Sequence, residues 1–368
     1  MEKLVIIDGN SLINRAFYAL PMLTNFNGEV SNAVFGFTNI IVKIINEIKP
    51  KYMCVAFDYG KKTFRNNMFD GYKGTRKPTP PELKSQFPIL KNLLSAMNIK
   101  FIEKEGIEAD DIIGTLTKKF NCENIIVTGD KDSFQLINNN TWVMFTKKGV
   151  TETINYTPSK LYKDYGIEPY QVIELKSLMG DSSDNIPGVK GIGEKTAVNL
   201  LTNYNTLDGV YNNIDKITGS VKTKLLENKD MAYLSHELAT IKCDCDIEVK
   251  LEELTYNFPF NAEVLNYYQF NSLLKKKDLF SEISEEDKIE LSTESCEQQK
   301  LNSIEDFKNL TNLLQKQKQF YLVFEDDFSV YASGVEYTFE SKFDLLSPML
   351  EYSDVLNILK PALENSEI

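Results

Sequence analysis

The sequence predicts an α/β protein with a mainly parallel central sheet flanked by helices, followed by a helical subdomain and a further α/β piece. Three observations predict it. Through the first half, short runs rich in Val and Ile alternate with longer stretches whose apolar residues recur at three- and four-residue spacing. Each of those short runs leads directly into an acid. From about Pro169 to Leu279 the apolar spacing is helical and strand-like runs are few.

Strands are expected over Lys3 to Ile7, Tyr52 to Phe57 and Asn124 to Val127, running into Asp8, into Asp58, and into the pair Asp130 and Asp132. Helices are expected over Ala33 to Ile48, Phe87 to Met97 and Ile112 to Phe120. Residues 1–168 form the α/β unit and 169–280 the helical one. An acidic linker follows over 281–300: between Glu282 and Asp306 there are nine acids and only Lys288 and Lys300 as cations. Residues 301–368 open a new α/β piece with strands at Phe320 to Val323 and Val335 to Phe339. That piece has little core to bury and reads as truncated.

Composition narrows the function classes. Five scattered cysteines and a single histidine, His236, cannot build a His-rich zinc site, and reduced thiols are the default. No apolar stretch approaches membrane-spanning length, and the start carries too short an apolar run for a signal peptide, so a cytoplasmic protein with no membrane partner is expected. A net charge of -12 argues against nucleic acid only if it is evenly spread. It is not: from Lys61 to Lys91 eight cations face only Asp70 and Glu82, which leaves room for a local phosphate-binding surface.

The acids carry the chemistry. In an open α/β sheet the loops at the carboxyl ends of the strands converge on one crevice, so Asp8, Asp58, Asp130 and Asp132 can meet there. Asp130 and Asp132 share a side if the backbone stays extended. Glu108-Ala109-Asp110-Asp111 opens a helix; if the turn is already helical, Glu108 and Asp111 share a face and Asp110 points elsewhere. Asp181 and Asp184, three apart, form the fifth group. Each group alone has an ordinary role as a cap or turn residue. Nine acids around one crevice could not all stay ionised without cations. Hard oxygen ligands suit Mg²⁺ or Mn²⁺, and two such ions about 4 Å apart clamp the attacking and leaving oxygens of a phosphodiester.

Two further segments bear on nucleic acid. Gly188-Val189-Lys190-Gly191-Ile192-Gly193-Glu194-Lys195-Thr196 is a near miss for a nucleotide-binding P-loop, because Glu194 stands where that loop needs Lys and no strand precedes it. A P-loop nucleotidase is therefore disfavoured. The better reading is a helix-hairpin-helix, with Gly188, Lys190, Gly191, Gly193, Lys195 and Thr196 meeting a DNA phosphate. The plain alternative is a structural Gly-rich turn. Phe64-Arg65 and Tyr72 to Lys77 combine rings and cations that could stack on bases and meet phosphates, against the plain alternative of a solvated basic loop. Only Arg15, Arg65 and Arg76 among the 41 Lys and Arg residues are Arg, which hints at bidentate phosphate or carboxylate geometry.

These segments together resemble the 5′ nuclease domain of bacterial DNA polymerase I, in the flap endonuclease superfamily with its PIN-like core. The resemblance runs over about residues 1–277. It rests on Ile6-Ile7-Asp8-Gly9-Asn10, Arg15-Ala16-Phe17-Tyr18, Ala56-Phe57-Asp58, Thr63-Phe64-Arg65, Tyr72-Lys73-Gly74-Thr75-Arg76, Glu108-Ala109-Asp110-Asp111, Thr128-Gly129-Asp130-Lys131-Asp132 and Met179-Gly180-Asp181-Ser182-Ser183-Asp184-Asn185-Ile186-Pro187-Gly188. It implies that Asp8, Asp58, Glu108, Asp110, Asp111, Asp130, Asp132, Asp181 and Asp184 belong to a two-ion site and that Lys73 and Arg76 flank the scissile phosphate. It implies DNA contacts from Arg15, Arg65, Tyr72 and Lys77, and a hairpin that grips duplex with K⁺ on its backbone carbonyls.

The implied function is cleavage at 5′ flaps, nicks and RNA primers in replication and repair, by a monomer in the bacterial cytoplasm near the nucleoid. A catalytically weak scaffold for branched DNA is the rival reading. From about Leu301 the chain resembles the start of a proofreading-like domain. A working proofreading site would begin with Asp-x-Glu, whereas this strand leads into Phe324-Glu325-Asp326-Asp327, so no 3′ exonuclease activity is expected there.

Overall fold

Six strands build one sheet: β1 (Lys3–Asp8), β2 (Tyr52–Ala56), β3 (Lys100–Ile102), β4 (Glu123–Thr128), β5 (Thr141–Lys148) and β6 (Glu152–Tyr156), in the order β3-β2-β1-β4-β5-β6. All neighbours are parallel except β5 and β6. The structure is a computed structural model that describes residues 1–25, 28–60, 62–148, 152–256, 260, 263–268, 270–274, 297–301, 303–316, 320–324, 328–333, 335–339 and 352–363.

The parallel strands read as unbroken apolar runs because both faces are covered. Leu4 and Ile6 of β1, with Cys54 and Ala56 of β2 and Ile126 of β4, pack against Ile112, Ile113 and Leu116 of the helix Ala109–Lys119 and against Ile241, Ile247 and Val249. Val5 and Ile7 point to the opposite face and are fully buried. Each such Ile or Leu contributes about 1.5–3 kcal/mol by leaving water. The helix Gly9–Ala19 packs against β1 and β2 and against the helix Asn32–Ile48, which in turn meets the helix Gln86–Ala96.

The order 3-2-1-4 reverses the chain's direction of travel across the sheet between β1 and β4, which opens a crevice beyond their carboxyl ends. Register pairs Asp8 with Ala56 and Ile7 with Val127, so β1, β2 and β4 end level. Asp8, Asp58 and Asp130 therefore leave the sheet along one edge.

Between residues 169 and 274 the described chain has helices and no strands, and a core of its own made by Leu178, Val189, Ile192, Ala197, Leu200, Leu201, Val210 and Leu225. The chain divides into two units, Met1–Glu282 and Ile283–Ile368. The second contains a sheet of four strands, β7 (Glu297–Lys300), β8 (Tyr321–Phe324), β9 (Phe328–Ala332) and β10 (Val335–Phe339), in the order β7-β10-β9-β8. Two strands were expected. The expectation of little core is also overturned: Phe307, Leu310 and Leu314 of the helix Ile304–Leu314 pack with Val330, Ala332, Val355 and Leu359.

The expected acidic linker lies outside the described residues except for Glu297–Lys300, which is strand rather than linker. That segment has no apolar residue to reveal it and is held by parallel pairing with β10. Residues 325–327 of the Phe324-Glu325-Asp326-Asp327 segment likewise lie outside the described residues.

Candidate functional site

Asp8 is the last residue of β1 and caps the helix Gly9–Ala19: its Oδ1 accepts from Ser11 N at 3.0 Å and its Oδ2 from Thr128 Oγ1 at 2.7 Å. Asp58 is held from both ends, its N–H donating to Asn10 Oδ1 at 3.0 Å and its Oδ1 accepting from Ala109 N at 2.8 Å. Asp130 accepts from Asp132 N at 3.0 Å and donates its own N–H to Thr128 Oγ1 at 2.9 Å. Asp110, in the first turn of Ala109–Lys119, completes this group.

Asp8, Asp58, Asp110 and Asp130 line one crevice of about 1550 Å³, together with Glu108, Lys73, Arg76, Lys62 and Lys77. Among the described residues none of those four aspartates has a Lys or Arg within ion-pair distance. Burial pushes Asp8 up to about 7, with repulsion from Asp130 and Asp58 adding to it. Burial likewise raises Asp58, and it raises Asp110 well above the usual carboxylate range, where Asp8, Asp130 and Asp132 repel it further. The Oδ1 of Asp110 is buried with no hydrogen-bond partner.

A buried carboxylate oxygen without a donor, facing three more carboxylates, is what a hard divalent cation would satisfy, so these residues fit the group. Among the described residues no three acids are already closed into a ligand cage.

The other acids sit differently. Glu108 caps Ala109–Lys119 and is 5% exposed; it accepts from Tyr72 OH at 3.1 Å, Thr63 Oγ1 at 3.3 Å, Arg65 Nη1 at 3.3 Å and Lys73 Nζ at 3.0 Å. Asp184 pairs with Arg76 and accepts from Tyr72 OH at 3.4 Å. Asp132 and Asp181 share one cation, Lys176, which lies 2.6 Å from Asp181 Oδ2. Burial drives Asp132 up to about 7 despite that ammonium, whereas at Asp181 Lys176 outweighs burial and holds the carboxyl at about 2.

Four expectations change; one is Gly188, which is buried with its N–H donated to Ser235 Oγ at 2.9 Å and so meets no phosphate. Asp111 is fully buried and faces away from the crevice: it pairs with Arg65 and accepts from Lys242 N at 2.9 Å. As expected of a helical turn, it shares Arg65 with Glu108 while Asp110 points elsewhere, but only Glu108 also reaches the crevice. Arg65 is therefore no DNA contact; it is 2% exposed and also donates to the Leu238 and Thr240 carbonyls. Tyr72 is 4% exposed and packs with Ile186, Leu238 and Ala239, so its ring cannot stack on a base.

The other Arg residues are anchored too, Arg76 on Asp184 and Arg15 on the Lys147 carbonyl at 2.9 Å. Lys73 takes a left-handed φ of 53° and donates its N–H to the Asp184 carbonyl at 2.8 Å, which ties the basic segment to the fifth acid group. Lys77 is exposed at the crevice.

The glycine-rich turn is not preceded by a strand; the helix Gln171–Met179 comes before it and the helix Glu194–Tyr204 after it, with Gly193 as its cap. Gly188 has φ +60°, and a Cβ there would lie 2.2 Å from Gly180 N. Lys190, Gly191, Gly193 and Lys195 are exposed, Thr196 half-buried, and Lys224 Nζ donates to the Gly191 carbonyl at 2.9 Å. His236 pairs with Glu174 at 3.6 Å, away from the acids. Sequence reasoning missed Lys176, Asn10 and Thr128. Lys176, five residues before Asp181 in the last turn of a helix, was the findable one.

A family model described as 5′-3′ exonuclease, N-terminal resolvase-like domain, matches residues 3–166, and one described as 5′-3′ exonuclease, C-terminal SAM fold, matches residues 167–262. The chain is 47% identical over 293 residues to DNA polymerase I of Bacillus subtilis, covering 78% of this chain and 33% of that protein. It is 39% identical over 372 residues to DNA polymerase I of Caldicellulosiruptor bescii, covering 97% and 44%. The chain thus spans a third to under a half of the length of these relatives. Its fold is similar to that of T5 5′-exonuclease solved with zinc, at TM-score 0.54 and 22% identity, covering 66% of this chain and 90% of that one. It is also similar to that of the T5 D15 flap endonuclease in a complex with DNA and metal ions, at TM-score 0.52 and 20% identity over the same shares. On the two matches that together run from residue 3 to residue 262, the chain belongs to the 5′-3′ exonuclease family.

Proposed function

We propose that this chain hydrolyses DNA phosphodiesters at 5′ ends and single-strand/duplex junctions, as the nuclease part of a DNA polymerase I that clears 5′ flaps, nicked ends and RNA primers. The observation that carries the reading is the crevice where Asp8, Asp58, Asp110 and Asp130 converge, none of the four ion-paired to a Lys or Arg among the described residues and one buried oxygen of Asp110 left without a donor. The T5 proteins of similar fold, solved with metal ions and one with DNA, support it.

Two Mg²⁺ ions, with Mn²⁺ able to substitute, are the proposed cofactors. Asp8, Asp58, Asp110, Asp130 and Glu108 would hold one, and Asp132, Asp181 and Asp184 the other; Asp111 drops out. When bound, the ions supply the positive charge that polarises the phosphate and makes water a better nucleophile. Lys73 and Arg76 place fixed positive charge at the crevice, where they offset charge developing on the phosphate once they leave Glu108 and Asp184. Lys77, exposed beside them, extends the phosphate track. At the hairpin, the first N–H groups of Glu194–Tyr204 and the exposed Lys190 and Lys195 meet duplex phosphate without reading sequence, with K⁺ on the turn's carbonyls.

The reading includes a monomer that works in the bacterial cytoplasm at the nucleoid, with no 3′ exonuclease activity from residues 301–368. Among the described residues no helix is long and apolar enough to cross a membrane. The intact acid set gives no ground for a scaffold that binds branched DNA without cutting it. A labelled 5′-flap assay tests the proposal. Cleavage with Mg²⁺, abolished by EDTA and reduced by orders of magnitude in Asp8→Ala or Asp184→Ala with flap binding kept, is the expected result; full cleavage in either variant sinks it.

A further inference from the structure

The acids of the site fall into two classes by what already neutralises them. Asp8, Asp58, Asp110 and Asp130 have no Lys or Arg within ion-pair distance among the described residues, whereas Asp132 and Asp181 face each other across a single ammonium. That ammonium belongs to Lys176, in the last turn of the helix Gln171–Met179. Its side chain is 14% exposed and lies 2.6 Å from Asp181 Oδ2, with Asp132 Oδ1 as its other partner.

The two carboxylates come from separate elements, one from the turn after β4 and one from the segment after Gln171–Met179. Without a cation between them they would repel at close range in a half-dry pocket. We infer that Lys176 is a resident placeholder: it occupies the second cation position in the metal-free chain and is displaced when the ion binds there.

The inference rests on the metal reading above and deepens it. A divalent ion entering the first group meets four aspartates that have no ion-paired cation among the described residues, and competes with Lys73 and Arg65 only at Glu108. An ion entering the second must first break two charge-assisted hydrogen bonds to Lys176, so the two positions fill in order and the second binds more weakly. The flexible four-carbon stem of lysine allows the ammonium to swing aside without moving the helix. A lysine that only ties the helix to the turn would leave metal affinity unimproved when removed.

Mn²⁺ titration of the full chain, followed by calorimetry and by the signal of free Mn²⁺ in electron paramagnetic resonance, separates the cases. Two binding classes are expected, and Lys176→Met should tighten the weaker one on the order of tenfold or more, as removal of a unit charge a few ångströms away implies. Asp110→Asn should weaken the tighter class and leave the other. Lys176→Met should melt below the parent chain in EDTA and gain more from saturating Mn²⁺.

A weaker class of unchanged or reduced affinity in Lys176→Met overturns the inference, while absence of Mn²⁺ binding in every protein overturns the metal reading itself. If circular dichroism finds Lys176→Met unfolded, Lys176→Gln carries the same comparison. In the unaltered chain, saturating Mn²⁺ should raise labelling of Lys176 by an amine-reactive reagent severalfold, read by mass spectrometry; unchanged labelling contradicts displacement.

Discussion

Arg65 grips Asp111 with both ends of its guanidinium, Nη1 to Oδ2 and Nη2 to Oδ1 at 2.8 Å each, where the two side chains are 2% and 0% exposed. The planar fork fits this geometry and an ammonium does not. Removing one partner leaves a buried charge alone, so Arg65→Met should cost about 3–5 kcal/mol, read as a fall in the urea midpoint. Arg65→Met combined with Asp111→Leu should recover much of it; a double variant as weak as the single one would contradict the pairing.

Asp110 shows the opposite relation between stability and use. Its carboxylate is raised by burial and by three neighbouring aspartates, and its inner oxygen has no donor. Asp110→Asn should stabilise the chain in EDTA by about 1 kcal/mol while cleavage falls by orders of magnitude. Thermal melts in EDTA alongside the flap assay check both halves.

Stability of the metal-free chain should fall as pH rises from about 4 to about 7. Asp8 and Asp132 titrate near 7 folded and near 3.8 unfolded, so across that window the folded chain binds more protons and deprotonation favours unfolding. Asp181, held at about 2, contributes with the other sign and only below that window. Urea midpoints in EDTA at pH 5, 6, 7 and 8 should decline and then level off, and saturating Mg²⁺ should flatten the decline. A midpoint rising with pH in EDTA would refute it.

The two ends of the hairpin should respond differently to alanine. Gly188 combines a φ of +60° with a Cβ position 2.2 Å from Gly180 N, so Gly188→Ala should lower stability by more than the ~1–2 kcal/mol of backbone strain alone. Gly193 has open space around its Cβ position, so Gly193→Ala should cost only the poorer capping of alanine, at most about 1 kcal/mol. Melting temperatures of the two variants decide it, and equal losses would show that backbone geometry is not what the turn demands.

The acids at the ends of β1, β2 and β4 were legible because fully buried parallel strands leave unbroken apolar runs that stop at a charge. The helix Ala109–Lys119 starts three residues earlier than its apolar spacing suggests, since Glu108 takes the cap position and Asp111 reaches back to its N–H at 3.3 Å. Arg65 and Tyr72 were misread because a basic, aromatic stretch looks solvated along the chain. Their burial depends on Asp111 and Ile186, 46 and 114 residues further on. β7, all polar, exists only through its partner. Lys176 lies close enough along the chain to Asp181 to suggest a pair, but its second partner, Asp132, is 44 residues away and shows only once the fold places it.

The reversal of strand order between β1 and β4 has an evolutionary consequence. The connections from β2 to β3 and from β4 to β5 depart on opposite sides of the gap, so either can lengthen or shorten without shifting the strand register that aligns Asp8 with Asp58 and Asp130. The segment between β2 and β3, which carries Lys73 and Arg76, is pinned at Arg65 on Asp111 and at Lys73 on the Asp184 carbonyl, so a change in its length can fall only outside those anchors. The carboxylate edge stays fixed by strand pairing alone.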